Sequence, residues 1–183
     1  MKELSLNILD IVQNSITAKA TLIEIILEET EAALDITIID DGCGMTKEMV
    51  EKVTNPFCTS RTTRKVGLGI PFFMLAAEQT GGHLELESKT IADNPNDHGT
   101  RISASFNKNH LDFTPLGDII STITTIINGC GDIDINFTHK LNESEVHLST
   151  IELKQVLGDD ISLTNIEVII WIKEYLQDQY NNI

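Results

Sequence analysis

Ile39-Asp-Asp-Gly-Cys-Gly-Met45 closes an apolar, β-rich run that begins at Leu34. Its glycines, Gly42 and Gly44, are separated by one residue, so positive φ is available and the backbone turn can pass close to a flat ligand. Asp40, at the end of the run, can accept a hydrogen bond from an exocyclic amine and so orient a base. The motif alone is weak evidence, because a plain strand-to-helix turn has the same residues. A calcium loop is disfavoured, because the alternating oxygen ligands of such a loop do not continue.

Upstream of this turn, residues 5–18 are predicted to form a helix, because apolar residues recur there at spacings of three and four. Asp10 and Asn14 are four positions apart and therefore project from the same face of that helix. A carboxylate together with an amide can hold a hydrated Mg²⁺ ion and position an attacking water. Taken alone, the pair is more simply explained as part of a solvated helix face.

Val66-Gly-Leu-Gly-Ile-Pro71 opens a further predicted helix, which runs to about Thr80. A glycine turn at a helix N-terminus presents free backbone N–H groups and the positive end of the helix dipole, and both suit phosphate. The segment is not a P-loop, because no Gly-Lys-Ser/Thr follows. It is not a dinucleotide fingerprint either, because a third glycine and a preceding strand are missing. Helix capping without a ligand explains the glycines equally well.

Residues 55–69 are predicted to form a long loop of the kind that often serves as a functional lid. The loop carries three of the chain's 13 basic residues within five positions, namely Arg61, Arg64 and Lys65. Such a cluster in an acidic chain raises the question of which anion these residues meet.

The net charge of −15 limits the classes of partner. It argues against a general nucleic-acid binder and against docking on anionic membranes. No apolar run reaches the length of a membrane span, and the first residues lack a segment of signal-peptide type. Three scattered cysteines indicate neither a disulfide frame nor a zinc site. We therefore expect a reduced, soluble, cytoplasmic protein with no nucleic-acid or membrane partner.

The remaining elements are predicted from hydrophobic periodicity and turn residues. His98-Gly-Thr100 precedes a strand, where a threonine hydroxyl can complete a polar pocket. Strands are predicted over 21–28, 34–40, 83–88, 101–106, 133–138 and 146–148, and helices over 47–53 and 116–128. Two further helices are predicted from the capping-box patterns Ser149 with Glu152 and Thr164 with Glu167.

The character of the chain changes near residue 108. We expect residues 1–107 to form one domain and residues 108–183 a small α+β appendage that contacts a protein partner. The appendage is strongly acidic, with four basic and 12 acidic residues. Its apolar last helix, with Trp171 at one edge, could be a homodimer face, although packing on the preceding helices is the simpler expectation.

The order and spacing of these motifs resemble the GHKL ATPases, the superfamily of DNA gyrase, heat-shock ATP-dependent chaperones, sensor histidine kinases and MutL mismatch-repair proteins. The resemblance covers about 100 residues and implies an α+β fold, the two-layer α/β sandwich known as the Bergerat ATP-binding fold. Leu9-Asp-Ile-Val-Gln-Asn-Ser-Ile-Thr-Ala-Lys-Ala-Thr21 and Ile39-Asp-Asp-Gly-Cys-Gly-Met45 are most similar to MutL. Asn55-Pro-Phe-Cys-Thr-Ser60, Gly67-Leu-Gly-Ile70, Gly81-Gly-His-Leu-Glu-Leu-Glu-Ser88 and Gly99-Thr100 are more similar to a histidine kinase.

The resemblance implies roles for individual residues. Asn14 matches the asparagine that coordinates phosphate-bound Mg²⁺. Asp10 stands where MutL-like members carry a glutamate that acts as general base, so its shorter side chain implies slow hydrolysis or a purely electrostatic role. Lys65 and Val66 stand where a further glycine often precedes the phosphate-side pair. The residues implied to bind ATP are Asp40, Gly42, Gly44, Arg61, Arg64, Lys65, Gly67, Leu68, Gly69 and Thr100.

The function implied is that of an Mg-ATP-binding, nucleotide-dependent switch with slow ATP hydrolysis. One alternative is a stand-alone protein kinase acting in trans, similar to those that phosphorylate anti-anti-sigma factors. The other is a non-catalytic nucleotide-binding interaction module. A self-contained sensor kinase is not expected, because no helical hairpin with a phosphoacceptor histidine precedes the ATP-binding motifs. A MutL proper is not expected either, because its longer second domain and the lysine it supplies have no evident counterpart.

Overall fold

The computed structural model describes residues 3–54, 68–158 and 161–183, in which six strands form one mixed sheet. The strands are β1 (Leu22–Glu29), β2 (Ala33–Asp40), β3 (His83–Lys89), β4 (Gly99–Asn107), β5 (Asp134–Leu141) and β6 (Ser144–Ser149). Their order across the sheet is β3-β4-β2-β1-β5-β6. Neighbouring strands are antiparallel, apart from the parallel pair β1 and β5.

Helices cover the buried face of this sheet. Along β1, the side chains of Ile23, Ile25 and Leu27 are fully buried while those between them are not, which is the alternation of a sheet with one covered face. The predicted two-layer α+β sandwich is therefore confirmed. No helix in the described ranges is both long and apolar enough to cross a membrane. The helices are α1 (Leu4–Thr17), α2 (Lys47–Thr54), α3 (Gly69–Gln79), α4 (Ile119–Cys130), α5 (Thr150–Leu157) and α6 (Ile166–Asn181).

Residues beyond 108 extend the same sheet. β5 pairs in parallel with β1 over the whole strand, from Leu22 opposite Asp134 to Glu29 opposite Leu141. The residues before and after position 108 also share one continuous hydrophobic core. Ile123 of α4 and Ile172 of α6 are fully buried in the same cluster as the apolar residues of α1 and β1. The domain boundary near residue 108 stays a prediction.

The two C-terminal helices form where the capping-box patterns predict them, but neither of the predicted capping boxes is formed. The Ser149 hydroxyl donates to Asn136 Oδ1 at 2.8 Å instead of capping α5, because a partner on the adjacent strand is within reach. α6 is capped one residue later than predicted, by Asn165, whose side-chain oxygen accepts from the N–H of Glu167 at 2.9 Å. α4 begins at Ile119 instead of Leu116, since Asp118 provides its N-cap.

A buried polar network joins the last helix to the far end of β1. Glu29 accepts hydrogen bonds from Lys108 Nζ at 2.6 Å and from His139 Nε2 at 3.1 Å, and in the neutral ring His139 Nδ1 accepts from the Tyr180 hydroxyl at 2.7 Å. His139 is only 2% exposed. Burial and the nearby Lys108 lower the pKa of His139, although Glu29 opposes them. His139 is therefore held neutral in the fold.

We predict that this histidine makes the protein less stable in mild acid. Its pKa is lower in the folded chain than the ordinary value of 6.5, so the unfolded chain binds the extra proton first and stability falls as pH drops below that value. The slope approaches about 1.4 kcal/mol per pH unit for one proton. Urea unfolding at several pH values should show this loss of stability in mild acid for the parent chain and not for His139→Gln. His83→Gln, at an exposed position, should keep it, and parallel profiles for parent and His139→Gln would disprove the assignment.

Candidate functional site

A cavity of about 230 Å³ opens where the second half of α1 faces the end of β2. The start of β4 and helix α2 complete its walls. Its lining is mostly apolar, with a few polar groups from α1, β2 and β4, which is the usual composition of a small-molecule site. The lining residues are Ile11, Asn14, Ser15, Thr17, Ala18, Asp40, Cys43, Gly44, Met45, Met49, Val53, Ile70, Thr100 and Ile102.

Asp40 is the acidic group of this cavity and is only 9% exposed. Its Oδ2 atom accepts from the Ser15 hydroxyl at 2.7 Å, and its Oδ1 atom accepts from the backbone N–H of Gly42 at 2.9 Å. Each oxygen has room for a further donor. The carboxylate is thus held in one orientation while it can still accept from a ligand.

Thr100 lies directly opposite Asp40 in the pairing of β2 with β4. Its hydroxyl is 2.9 Å from the hydroxyl of Ser88, which also accepts from the N–H of Met45 at 2.8 Å and donates to the carbonyl of Gly99 at 2.9 Å. A chain of hydroxyl hydrogen bonds therefore links β3, β4 and the glycine turn.

The two turn glycines are required by close approach. Gly44 has φ of +68°, and a Cβ atom there would lie 1.9 Å from the carbonyl oxygen of Lys89. At Gly42 a Cβ atom would lie 2.8 Å from the Cβ atom of Ala18. The N–H of Cys43 also donates to the carbonyl of Ala18 at 2.9 Å. The turn is thus pressed against both the end of α1 and the end of β3.

Asp41 anchors the beginning of β1 and is not one of the residues that line the cavity. Its carboxylate accepts from the N–H groups of Thr21 at 2.6 Å and Leu22 at 2.9 Å, and from the hydroxyl of Thr21. Burial alone would raise the pKa of Asp41, but these hydrogen bonds outweigh it and lower the pKa. Of the two adjacent aspartates of the motif, Asp40 therefore lines the cavity and Asp41 has a structural role.

Asp10 and Asn14 are both exposed on α1, one turn apart, and Asn14 lines the cavity. Gly69, the first residue of α3, packs directly on Asp10, since a Cβ atom at Gly69 would lie 3.1 Å from the Cβ atom of Asp10. This contact places the N-terminal end of α3 beside Asp10. Leu68 occupies the N-cap position of α3 and is 52% exposed. The candidate residues Arg61, Arg64, Lys65 and Gly67 lie outside the described residues.

Sequence reasoning assigned no role to two polar groups of the site, Ser15 and Ser88. Ser15 was recognisable in retrospect, because it continues the apolar stripe of Ile8 and Ile11 at helical spacing, and a polar residue in a buried stripe requires a buried partner. Ser88 carried no such signal. Its contacts depend on the register of β3 against β4.

The donor set of the site fits Mg²⁺ only if a ligand supplies further oxygens. Over residues 3–54, 68–158 and 161–183, no group of three or more histidine, cysteine, aspartate or glutamate side chains is placed to hold a metal ion. Asn14 offers one amide oxygen at the cavity. Mg²⁺ is commonly bound in this way, by one or two protein oxygens together with phosphate oxygens and waters.

Comparison with known proteins places this chain in a family. A model of the family "Histidine kinase-, DNA gyrase B-, and HSP90-like ATPase" matches residues 2–110, and the chain belongs to this family. No curated protein matches the sequence.

Two solved structures have a similar fold. One, described as the N-terminal domain of a DNA repair protein, superposes with a TM-score of 0.60 at 17% identity over 87% of this chain and 58% of its own length. The other, the Aquifex aeolicus MutL ATPase domain complexed with ADP, gives 0.51 at 15% identity over 86% and 69% of the two chains. This chain thus spans a little over half of the first structure. The predicted resemblance is confirmed at the level of family and fold.

We predict that Gly44 is far less tolerant of a side chain than Gly81, although both have positive φ, +68° and +77°. Gly81→Ala should lower the free energy of unfolding by about 1 kcal/mol, because only the backbone conformation is penalised and nothing lies within 4 Å of the new Cβ atom. Gly44→Ala should cost about 3 kcal/mol or more, because its Cβ atom meets the backbone of Lys89. Urea unfolding of the two variants measures this difference, and equal losses would contradict the tight contact at the turn.

Proposed function

We propose that this protein is an Mg-ATP-binding, nucleotide-dependent switch with slow ATP hydrolysis. The observation that carries the proposal is the buried carboxylate of Asp40 at the cavity, held by Ser15 and Gly42 and opposite Thr100. Membership of an ATPase family and the similarity to a MutL ATPase domain complexed with ADP support it.

In this proposal the adenine base occupies the cavity. Its exocyclic amine donates to Asp40, and the hydroxyl of Thr100 provides a second polar contact. The apolar walls, which include Met45, Met49 and Ile102, pack against the faces of the ring. The volume of about 230 Å³ lies below the roughly 300–1,000 Å³ of sites for larger ligands, so it suits a base with the phosphates outside.

The phosphates then extend along α1 toward the beginning of α3. Asn14 would hold Mg²⁺ together with phosphate oxygens, and the bound ion would neutralise phosphate charge. Gly69 and Leu68 bring backbone N–H groups of the α3 terminus to the same place. Arg61, Arg64, Lys65 and Gly67 complete the proposed phosphate contacts.

Asp10 is the proposed catalytic group. It lies one turn from Asn14 on the exposed side of α1 and beside Gly69, where it can orient a water toward the terminal phosphate. The same exposure favours one second candidate function, a protein kinase acting in trans, because a partner's side chain can reach this position as readily as water. The third candidate, a non-catalytic nucleotide-binding module, corresponds to an Asp10 that only tunes the local charge.

The acidic segment of residues 108–183 is proposed to contact a protein partner and to respond to the nucleotide through the sheet that it shares with the site. A homodimer and a cytoplasmic location remain parts of the proposal. Nucleic acid and membrane are not among the proposed partners, because the chain's net charge of −15 opposes polyanions.

We predict that Asp40→Asn weakens ATP binding by about 10- to 100-fold, since one charged hydrogen bond to the base is lost. Asp35→Asn removes the same charge from an exposed position of the same strand and should leave the affinity unchanged. Isothermal titration calorimetry with Mg-ATP measures both, and circular dichroism checks the fold. Unchanged affinity in Asp40→Asn would refute the site assignment.

We predict that Asp10→Asn keeps ATP binding and reduces phosphate release at least about tenfold, as expected for the loss of a group that orients water. Release of labelled phosphate from γ-labelled ATP measures the rate, again with Asp35→Asn as the charge-matched control. Hydrolysis at the parental rate would exclude Asp10 as the base.

The same labelled ATP separates the switch from the kinase. The chain is incubated with and without a cell lysate, and the products are resolved by electrophoresis. Free phosphate without labelled protein supports the switch. If a second protein becomes labelled, and this labelling is lost with the Asp40→Asn variant, the protein is a kinase and the switch proposal is wrong.

A further inference from the structure

Helix α6 presents an exposed apolar surface that the proposed nucleotide site does not use. Val168, Ile172 and Leu176 bury its inner face. On the outside, Trp171 is 46% exposed and Tyr175 is 40% exposed. Their rings stack, with centroids 5.3 Å apart and planes inclined by 13°. Two large aromatic rings stacked in solvent are unusual for a surface without a partner.

A second apolar row runs beside the aromatic pair. Ile166 is 73% exposed and Ile170 is 53% exposed, and they are four residues apart, as are Trp171 and Tyr175. Because successive helix residues are rotated by about 100°, these two pairs form separate rows along the helix. The space between the rows is about one side chain wide.

Three carboxylates fill that space. Glu167, Glu174 and Asp178 are all exposed, and they are seven and four residues apart, so they form one acidic stripe along α6. Glu167 lies four residues before Trp171, and Glu174 lies three residues after it, so both neighbour the indole ring. The exposed side of α6 is therefore an acidic stripe between an aliphatic row and an aromatic row.

The only basic residue of α6, Lys173, does not neutralise the acidic stripe. Lys173 lies two positions from both Trp171 and Tyr175, a spacing at which helix side chains do not face each other. Its charge acts on Asp118, the N-cap residue of α4, where the hydrogen bonds from Ser121 and, after them, Lys173 lower the pKa of the carboxyl. The negative charge of the stripe is left facing outward.

We propose that this α6 face, made of the acidic stripe and its two apolar rows, docks a basic amphipathic segment of a partner protein. Lysine or arginine side chains of the segment would meet the stripe, and its apolar side chains would cover the flanking rows. A cation above the indole of Trp171 gains a further attraction from the ring. A second copy of the chain fits this face poorly, because a symmetric contact would bring two acidic stripes together, so a homodimer would form through another surface.

This inference refines the partner contact proposed for residues 108–183, and it can be tested without nucleotide, so that it fails independently of the ATP site. Trp171 is the only tryptophan in the chain, and its emission therefore reports directly on this face. The full chain is titrated with a synthetic amphipathic helical peptide of lysine and leucine. The same peptide with glutamate in place of lysine is the control ligand.

We expect a saturable change in Trp171 emission with the lysine peptide and none with the glutamate peptide. The triple variant Glu167→Gln, Glu174→Gln, Asp178→Asn should weaken binding at least about tenfold. Tyr175→Ala, which leaves the net charge unchanged, should weaken it about fivefold, in line with the loss of an aromatic contact of about 1 kcal/mol. The triple variant Glu85→Gln, Glu87→Gln, Asp35→Asn, on strands remote from α6, should bind as the parent chain does. Urea unfolding checks that each variant is folded.

Three results would overturn the proposal. Equal weakening in the remote triple variant would mean diffuse attraction to an acidic protein. A similar emission change with the glutamate peptide, or with neutral phosphatidylcholine vesicles, would mean a merely apolar surface. A dimer in sedimentation that dissociates in Tyr175→Ala would assign the face to a second copy of the chain.

Discussion

The hydrogen bond between the Ser15 hydroxyl and Asp40 Oδ2, 2.7 Å long and buried, joins the helical layer to the sheet at the point where the cavity opens. One partner comes from the C-terminal half of α1 and the other from the last residue of β2. The bond uses one lone pair of the carboxylate, and the N–H of Gly42 uses another, so the geometry of the turn is determined by the same group that faces the cavity. A buried acceptor of this kind must remain paired for the fold to be stable.

The cavity also depends on how closely backbone segments approach this carboxylate. Gly99 has φ of +127°, and a Cβ atom there would lie 1.9 Å from the carbonyl oxygen of Asp40. Hydrogen bonds from the Thr100 hydroxyl through the Ser88 hydroxyl to the N–H of Met45 also link β3 and β4 to the glycine turn. His98 adds a further restraint, because its Nδ1 atom donates to the carbonyl of Gly42 at 2.7 Å. The turn is thus braced by α1, by β4 and by the loop before β4.

The strong acid excess of the chain divides into distinct structural uses. Asp41 and Asp118 act on backbone N–H groups, and their hydrogen bonds are accompanied by lowered pKa values. Asp40 faces the cavity, and Glu29 is the centre of the buried network that holds His139. The acidic stripe of α6 faces solvent. A single number for net charge therefore combines carboxylates that stabilise the fold with others that are available for recognition.

Hydrophobic periodicity and turn residues predicted nearly all of the elements, because they act over a few positions, and the motifs that resemble the GHKL ATPases implied the fold class and the candidate groups of the site. The sequence identified Asp40, Gly42, Gly44 and Thr100, all of which the structure gathers at one cavity wall and its turn. Only the tertiary structure decided which of the adjacent aspartates faces the cavity, that Ser15 and Ser88 support it, and that β5 pairs with β1. Those facts depend on strand register and on contacts between residues far apart in the chain, such as Ser15 with Asp40 and Glu29 with His139, which no local pattern contains. The same reason explains the failed capping boxes, since the hydroxyl of Ser149 bonds to Asn136 on a neighbouring strand.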